Sequence, residues 1–318
     1  MKLNSLFTKR TVMHRSDRLA SRLVCLFLVT LFFAPSTLQA QSSQKQLKLA
    51  AYNLWNMFDI YDDPYTQDES TRVKPREQIE AVAKAIKEIN ADVVGCVELE
   101  NDHILRAMAM DLLPECGYKY FGATESNSGR GIQIGVMSRL PILSITSHKF
   151  RTLTLPGEKR TWSFARDLVQ VTVQVTDSQI LDVFLVHFKS KRSTSGDPES
   201  GKWRLAEATM ARQIMEQTRI AHPDHWIAIM GDFNDTPESK TIQHLLAKPA
   251  FLHDTHSHLP ADNRITYLHK PYRSTIDYIL AGPQLIKHLD KSKTGLPADE
   301  SKLAGSDHAP IFATFNLN

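Results

Sequence analysis

From residue 47 to the end of the chain, short apolar runs alternate with amphipathic stretches. LKLAAYN (47–53) and ADVVGCVE (91–98) read as strands. Between them, PREQIEAVAKAIKEIN (75–90) sets Ile79, Val82, Ala83, Ile86 and Ile89 at helical spacing, and Pro75 suits a first helical turn. HILRAMAMDLL (103–113) predicts a second helix. The middle is β-rich: GIQIGVMS (131–138), FARDLVQVTVQV (164–175) and QILDVFLVHF (179–188) are separated by Gly, Pro or Asp turn signals. A polar loop, KSKRSTSGDPESG (189–201), leads to a helix over 202–221 and an apolar strand, WIAIM (226–230). Thr236-Pro237 then predicts the cap and first turn of a helix over 237–247. STIDYILAG (274–282) and HAPIFATFNL (308–317) supply the last strands. Helices between some strands and hairpins between others predict an α/β fold: two mixed β-sheets packed face to face with helices outside. No linker, repeat or low-complexity tract interrupts 41–318, so a single domain is expected there.

Residues 1–40 are different in kind. Lys2, Lys9, Arg10, Arg15, Arg18 and Arg22 precede the apolar run LVCLFLVTLFF (23–33), and APSTLQA-Q follows. A run of eleven residues falls well short of the roughly 20 that span a bilayer, so the segment reads as a secretory signal peptide cut after Ala40. Export to the periplasm or beyond, without stable membrane association, is the expectation. Cleavage also changes the electrostatics. The whole chain carries 38 Lys+Arg against 35 Asp+Glu; without 1–40 the balance is 32 against 34, near −2. Net charge therefore gives no nucleic-acid signature, and any grip on phosphates must be local. Cys96 and Cys116 remain, and the sequence leaves their pairing open.

One stretch raises the chemical question. IMGDFND (229–235) ends an apolar strand on Asp232 and Asn234. Residues two apart on a strand share a face, so both can meet one site while Phe233 turns inward. Polar residues recur at the other apolar strand ends: Asn53, Glu98, His187, Asp277, and the pair Asp307-His308. Any one of these is an ordinary cap or turn residue. Together, as oxygen donors without a cysteine cluster, they favour a hard cation such as Mg²⁺, with Mn²⁺ or Ca²⁺ as alternatives.

In order along the chain, YNLWNMFD (52–59), GCVELEN (95–101), GIQIGVMSRLPI (131–142), ARDLVQVTV (165–173), LVHFKSK (185–191), GDFND (231–235), STIDYIL (274–280) and GSDHAPI (305–311) resemble the endonuclease/exonuclease/phosphatase superfamily. YNLWNMFD, ELEN and HFKSK are most similar to its secreted bacterial nuclease-like branch. The resemblance implies a four-layer α/β/β/α sandwich and hydrolysis of phosphodiesters. It implies Glu98 as principal metal ligand, with Asn53 and Asp307 assisting. Asp232 would hold or deprotonate the attacking water, and Asn234 would position it. His308 would contact the scissile phosphate with Asp277 behind it, and His187 would be a second phosphate-facing histidine. Arg166 would sit beside the site. Departures from the family pattern at Trp55, Val97 and Thr275 touch the substrate side, and Glu125 is a poorly supported acidic partner for His187.

Lys189, Lys191 and Arg192, with Lys202 and Arg204 beyond them, supply local positive charge for a phosphate backbone, and Trp55 and Tyr272 are aromatic enough to stack on bases. The expected activity is a secreted, Mg²⁺-dependent nuclease of DNA, and of RNA as a second substrate, with little sequence preference and acting as a monomer. Alternatives are a phosphoesterase of sphingomyelin or inositol phosphates, for which no strongly apolar loop is evident, and an inactive binding module.

Overall fold

The computed structural model describes residues 46–317 apart from 62, 70, 195, 249, 250 and 298–304. The signal-peptide reading therefore lies outside the described residues. In chain order the strands are β1 (Gln46–Met57), β2 (Val93–Leu99), β3 (Tyr120–Thr124), β4 (Gln133–Ser138), β5 (Ile142–Ser147), β6 (Leu153–Thr154), β7 (Thr161–Trp162), β8 (Leu168–Gln174), β9 (Ile180–His187), β10 (Trp226–Asp232), β11 (His253–Asp254), β12 (Asp277–Ala281) and β13 (Ile311–Asn316). The helices are α1 (Arg76–Ile89), α2 (Asp102–Asp111), α3 (Gly201–Ala221) and α4 (Lys240–Leu246). No helix among the described residues is long and apolar enough to cross a membrane.

Two mixed sheets result, one ordered β13-β1-β2-β4-β3 and the other β11-β12-β10-β9-β8-β5, with β6 and β7 as a separate ribbon. Period-two alternation decides how they pack. Leu47, Leu49 and Ala51 of β1 join Val171, Val183 and Met230 of the second sheet in one apolar layer. Ala50 and Tyr52, on the opposite face of β1, meet Val82 and Ile86 of α1 and Leu105 of α2. Phe184, Ile229 and Leu280 turn outward to Ala208, Met215 and Ile242 of α3 and α4. Three apolar layers separate helices, sheet, sheet and helices, which is the expected four-layer α/β/β/α sandwich.

Local differences from the expected elements have local causes. Pro75 is the cap residue of α1 rather than a member of its first turn. Helix α4 starts at Lys240, three residues later than expected, because Ser239 rather than Thr236 accepts the N–H of Ile242 (3.2 Å). Cys96 and Cys116 are both buried and unpaired.

Gly231 is required where it stands. Its φ is +135°, and a Cβ there would lie 2.1 Å from the carbonyl oxygen of Val186 on the neighbouring strand. Gly231→Ala is expected to destabilise the fold by about 3 kcal/mol through backbone strain, read as a lowered midpoint of urea unfolding.

Candidate active site

The second sheet builds half of the site by register alone. Asp232 pairs with His187 on one side and with Asp277 on the other, so three chemically active side chains form a row across the ends of β9, β10 and β12. Neighbours in register project to the same face. All three are buried.

The first sheet contributes through interruption. Trp55 and Asn56 adopt φ of 50° and 53°, and Glu98 adopts 59°. Pairing of β1 with β2 shifts between Asn53 and Met57, and pairing of β2 with β4 shifts between Val97 and Leu99. These side chains are not at simple strand ends, as expected, but at left-handed corners within the strands. Each such corner costs on the order of 1–3 kcal/mol, and hydrogen bonds offset it: Asn53 Oδ1 accepts the N–H of Trp55 (2.9 Å), and Glu98 Oε2 accepts that of Asn56 (3.2 Å).

Asn53 is thereby turned differently from expectation. Its Nδ2 donates toward Glu98 Oε1 (3.3 Å) and Asp232 Oδ2 (3.1 Å) and lies 3.4 Å from His308 Nε2. As placed, Asn53 bridges the Glu98 and Asp232 carboxylates through its amide nitrogen while its Oδ1 takes the Trp55 N–H. Asn234 is also placed otherwise. β10 ends at Asp232, and Asn234 reaches the cavity through a left-handed turn (φ 52°) in which its N–H donates to Asp232 Oδ1 (2.8 Å). Its Nδ2 donates to Phe188 O (3.0 Å). Phe233 between them does turn inward, packing edge-on against Phe188 and Tyr278.

His308 arrives from the far end of the chain. Ser306 Oγ donates to Asn53 O (2.7 Å) and accepts the His308 N–H (3.1 Å), which ties the 306–308 turn to β1. Nδ1 of His308 meets Asp277 Oδ2 at 2.8 Å, and Asp277 is held by its own N–H on Thr266 Oγ1 (3.0 Å). Burial opposes the imidazolium, but Asp277, then Asp232 and Asp307, outweigh it and push His308 up to about 10. Burial, with the negative charge of Asp277 next, pushes Asp232 up to about 7. His187 goes the other way. Burial, then Arg166, His308 and Arg130, hold it well below its usual range. Its Nε2 lies 3.7 Å from Glu98 Oε1 and 3.6 Å from Asp232 Oδ2, so these are contacts of a neutral ring, not ion pairs. Nδ1 of His187 is buried without a hydrogen-bond partner. Glu125 is not its acidic partner: that side chain is 90% exposed and faces Lys149.

A cavity of about 890 Å³ collects these groups, with Glu98, His187, Asp232, Asn234, Asp307 and His308 on its wall. Among the described residues the tightest acidic and imidazole trio is Asp232, Asp277 and His308. The Asp277–His308 hydrogen bond suits that trio to handling protons. Glu98 and Asp307 are the oxygen donors left over. Burial raises the Asp307 carboxyl, and the charge of Glu98 adds to that. An excess of convergent carboxylate charge fits a hard divalent cation held by these two.

The basic residues divide. Arg166, Lys191 and Arg192 line the cavity, as do Arg130 and Arg273, which sequence reasoning missed. Lys189 does not line it; its Nζ donates to Ser190 O and Arg192 O and lies 5.8 Å over the Trp203 ring. Arg204 is buried on Asp235 (3.1 Å) and Lys202 donates to Gly196 O, so neither faces a substrate. Tyr272 is an exposed lining residue, whereas Trp55 packs over Lys74 Nζ (5.1 Å) outside the lining. Tyr267, also missed, packs 5.1 Å from the His308 ring. Only its spacing from the STID strand marks it, through the bridge from Tyr267 to Ser274 and His308.

Comparison with known proteins bears on the family and the fold. The family described as Endonuclease/Exonuclease/phosphatase family matches residues 48–278. That match stops short of Asp307 and His308, which the fold joins to it. No curated protein sequence matches. Among solved structures, the human Nocturnin catalytic domain with bound sulfate anion is similar at TM-score 0.60 and 15% identity, covering 85% of this chain and 94% of that one. Humanized D. rerio TDP2 gives 0.57 and 18%, covering 86% and 100%. D. rerio TDP2 complexed with single strand DNA product gives 0.56 and 18%, with 86% and 100% covered. At such identity these likenesses concern the fold.

Proposed function

The chain belongs to the endonuclease/exonuclease/phosphatase family and is with it a phosphodiester hydrolase; on that premise we propose an exported, monomeric, Mg²⁺-dependent nuclease of DNA or RNA with little sequence preference. The observation that carries this reading is the cavity wall: Arg130, Arg166, Lys191, Arg192 and Arg273 flank the catalytic carboxylates, with Tyr272 exposed at the same opening. Positive side chains read a phosphate backbone irrespective of sequence, and an aromatic ring stacks on any base. The single-stranded DNA product held by D. rerio TDP2 supports the same substrate class. Export rests on the basic and apolar pattern of 1–40.

Glu98 and Asp307 would hold the cation, which supplies charge neutralisation at the phosphate and at the leaving oxygen. Asp232, at a pKa of about 7 beside the N–H of Asn234, holds the attacking water and takes its proton. His308, kept protonated and oriented by Asp277, offers Nε2–H to a phosphate oxygen. His187, neutral between Glu98 and Asp232, contributes a second imidazole without adding charge. The Asn53 amide keeps the two carboxylates from separating.

A second reading, a phospholipid phosphoesterase, draws on one feature. Ile60, Tyr61 and Tyr65 on the loop after β1 are 74%, 75% and 94% exposed, so an exposed apolar loop exists where the sequence made none evident. A substrate panel separates the two. Supercoiled plasmid, single-stranded DNA, RNA, sphingomyelin vesicles and inositol phosphates are offered with Mg²⁺, and nucleic acid is expected to be cut. Release of phosphocholine with DNA left intact would reverse the order of the readings.

A further inference from the structure

Helix α3 buries two charged side chains one turn apart, Arg204 and Glu207, which are 2% and 0% exposed. Residues three apart share a helix face, and both of these reach the chain that leaves β9. They grip one residue there by its two backbone groups: Glu207 Oε2 accepts the N–H of Lys189 (2.8 Å), and Arg204 Nη1 donates to its carbonyl (3.2 Å). Glu207 Oε1 accepts the N–H of Ala165 (2.8 Å), on the connection before β8. One carboxylate thus joins two segments, and the residues next to its anchor points serve the cavity. After Ala165 comes Arg166, whose Nη1 donates to Phe188 O (3.2 Å). Before Lys189 comes Phe188, whose carbonyl also accepts Asn234 Nδ2 (3.0 Å) and whose N–H donates to Asp232 O (2.9 Å).

A buried carboxylate is poor material for packing alone. Burial pushes Glu207 up to about 7, against the pull of the two N–H groups and of Arg166 and Arg204. A glutamine would accept only one of those N–H groups and turn its own N–H₂ on the other, so the two anchor points together call for an acid. We propose that Glu207, assisted by Arg204, is a positioning residue for phosphodiester hydrolysis: by holding Ala165 and Lys189 at a set separation it fixes the Phe188 carbonyl, which in turn aims Asn234 and Arg166. This role presupposes the phosphodiester-hydrolase reading, with Asn234 beside the attacking water. Loosened aim at Asn234 lowers kcat. Loosened aim at Arg166, which lines the cavity on the phosphate side, raises KM. Neither Glu207 nor Arg204 lines the cavity, so the Mg²⁺ requirement stays where it is.

The test measures kcat and KM on a DNA oligonucleotide, well below the melting temperature, for the native chain, Glu207→Gln, Glu207→Asp, Asn234→Ala and Glu207→Gln/Asn234→Ala, with urea unfolding of each. Aspartate keeps the charge but falls one methylene short of both anchors, so Glu207→Asp carries the test where the glutamine variant fails to fold. Either substitution at Glu207 is expected to lower kcat about 10- to 100-fold and to raise KM, with a cooperative unfolding transition retained and the Mg²⁺ concentration for half-maximal rate unchanged. On top of Asn234→Ala the same substitution should lower kcat by less than about threefold more, because the group it aims is gone. Native-like kcat in the folded Glu207 variant overturns the positioning role. So does the full loss repeated in the Asn234→Ala background, which is how a merely structural residue behaves. An inactive native chain overturns the hydrolase reading and the role with it, so the two failures are told apart.

Discussion

Asp232→Asn is expected to lower phosphodiester hydrolysis on the order of 10³-fold while leaving the midpoint of urea unfolding close to that of the native chain. The rate effect follows from position. Asp232 is the middle of the His187–Asp232–Asp277 row, and it is the one carboxylate there without an imidazolium bonded directly to it. An asparagine keeps the shape and can still accept the Asn234 N–H, but it takes no proton from water. The net stability change is small, because removing a buried carboxylate that Asp277 repels offsets the new contact of the asparagine N–H₂ with the Asn53 Nδ2 donor. Active sites commonly carry such costs. Steady-state rates paired with urea unfolding check both halves; near-native turnover would remove Asp232 from the role given to it.

Glu98→Gln should be as damaging to rate by another route. Loss of one carboxylate oxygen weakens the cation, so the Mg²⁺ concentration for half-maximal rate is expected to rise about 100-fold, with part of the lost rate recovered at high Mg²⁺. Asp232→Asn should show no such recovery. The glutamine amide also brings an N–H₂ toward either the Asn56 N–H or the Asn53 Nδ2, now donor against donor. A stability cost of about 1 kcal/mol follows. Unchanged Mg²⁺ dependence would mean that Glu98 does not hold the ion.

Much of this was legible in the sequence because it depends on periodicity. Alternation in LKLAAYN and VQVTVQV fixes which faces are apolar, and an apolar face on both sides of a strand requires the layers seen. Polar residues at the ends of such runs must leave the core, so Asp232, His187 and Asp277 could be picked out before their shared row was known. Backbone conformation was not legible. Nothing in YNLWN shows that Trp55 and Asn56 are left-handed, and the orientation of the Asn53 amide follows from that corner alone. Arg204 read as charge for a phosphate backbone because it follows a lysine-rich loop; only the fold brings Asp235 to it. Arg130 and Tyr267 sit in stretches with no periodic signal, and tertiary placement makes them part of the wall.

The central claim is that one cation-dependent phosphodiester centre forms from segments as far apart as Asn53 and His308. Nicking of supercoiled plasmid by the purified protein, with Mg²⁺, with EDTA, and with excess Mg²⁺ restored, tests it most directly. The account predicts nicking with Mg²⁺, none with EDTA, and full recovery on adding the metal back. Intact plasmid in Mg²⁺, Mn²⁺ and Ca²⁺ alike, or cleavage indifferent to EDTA, would contradict it.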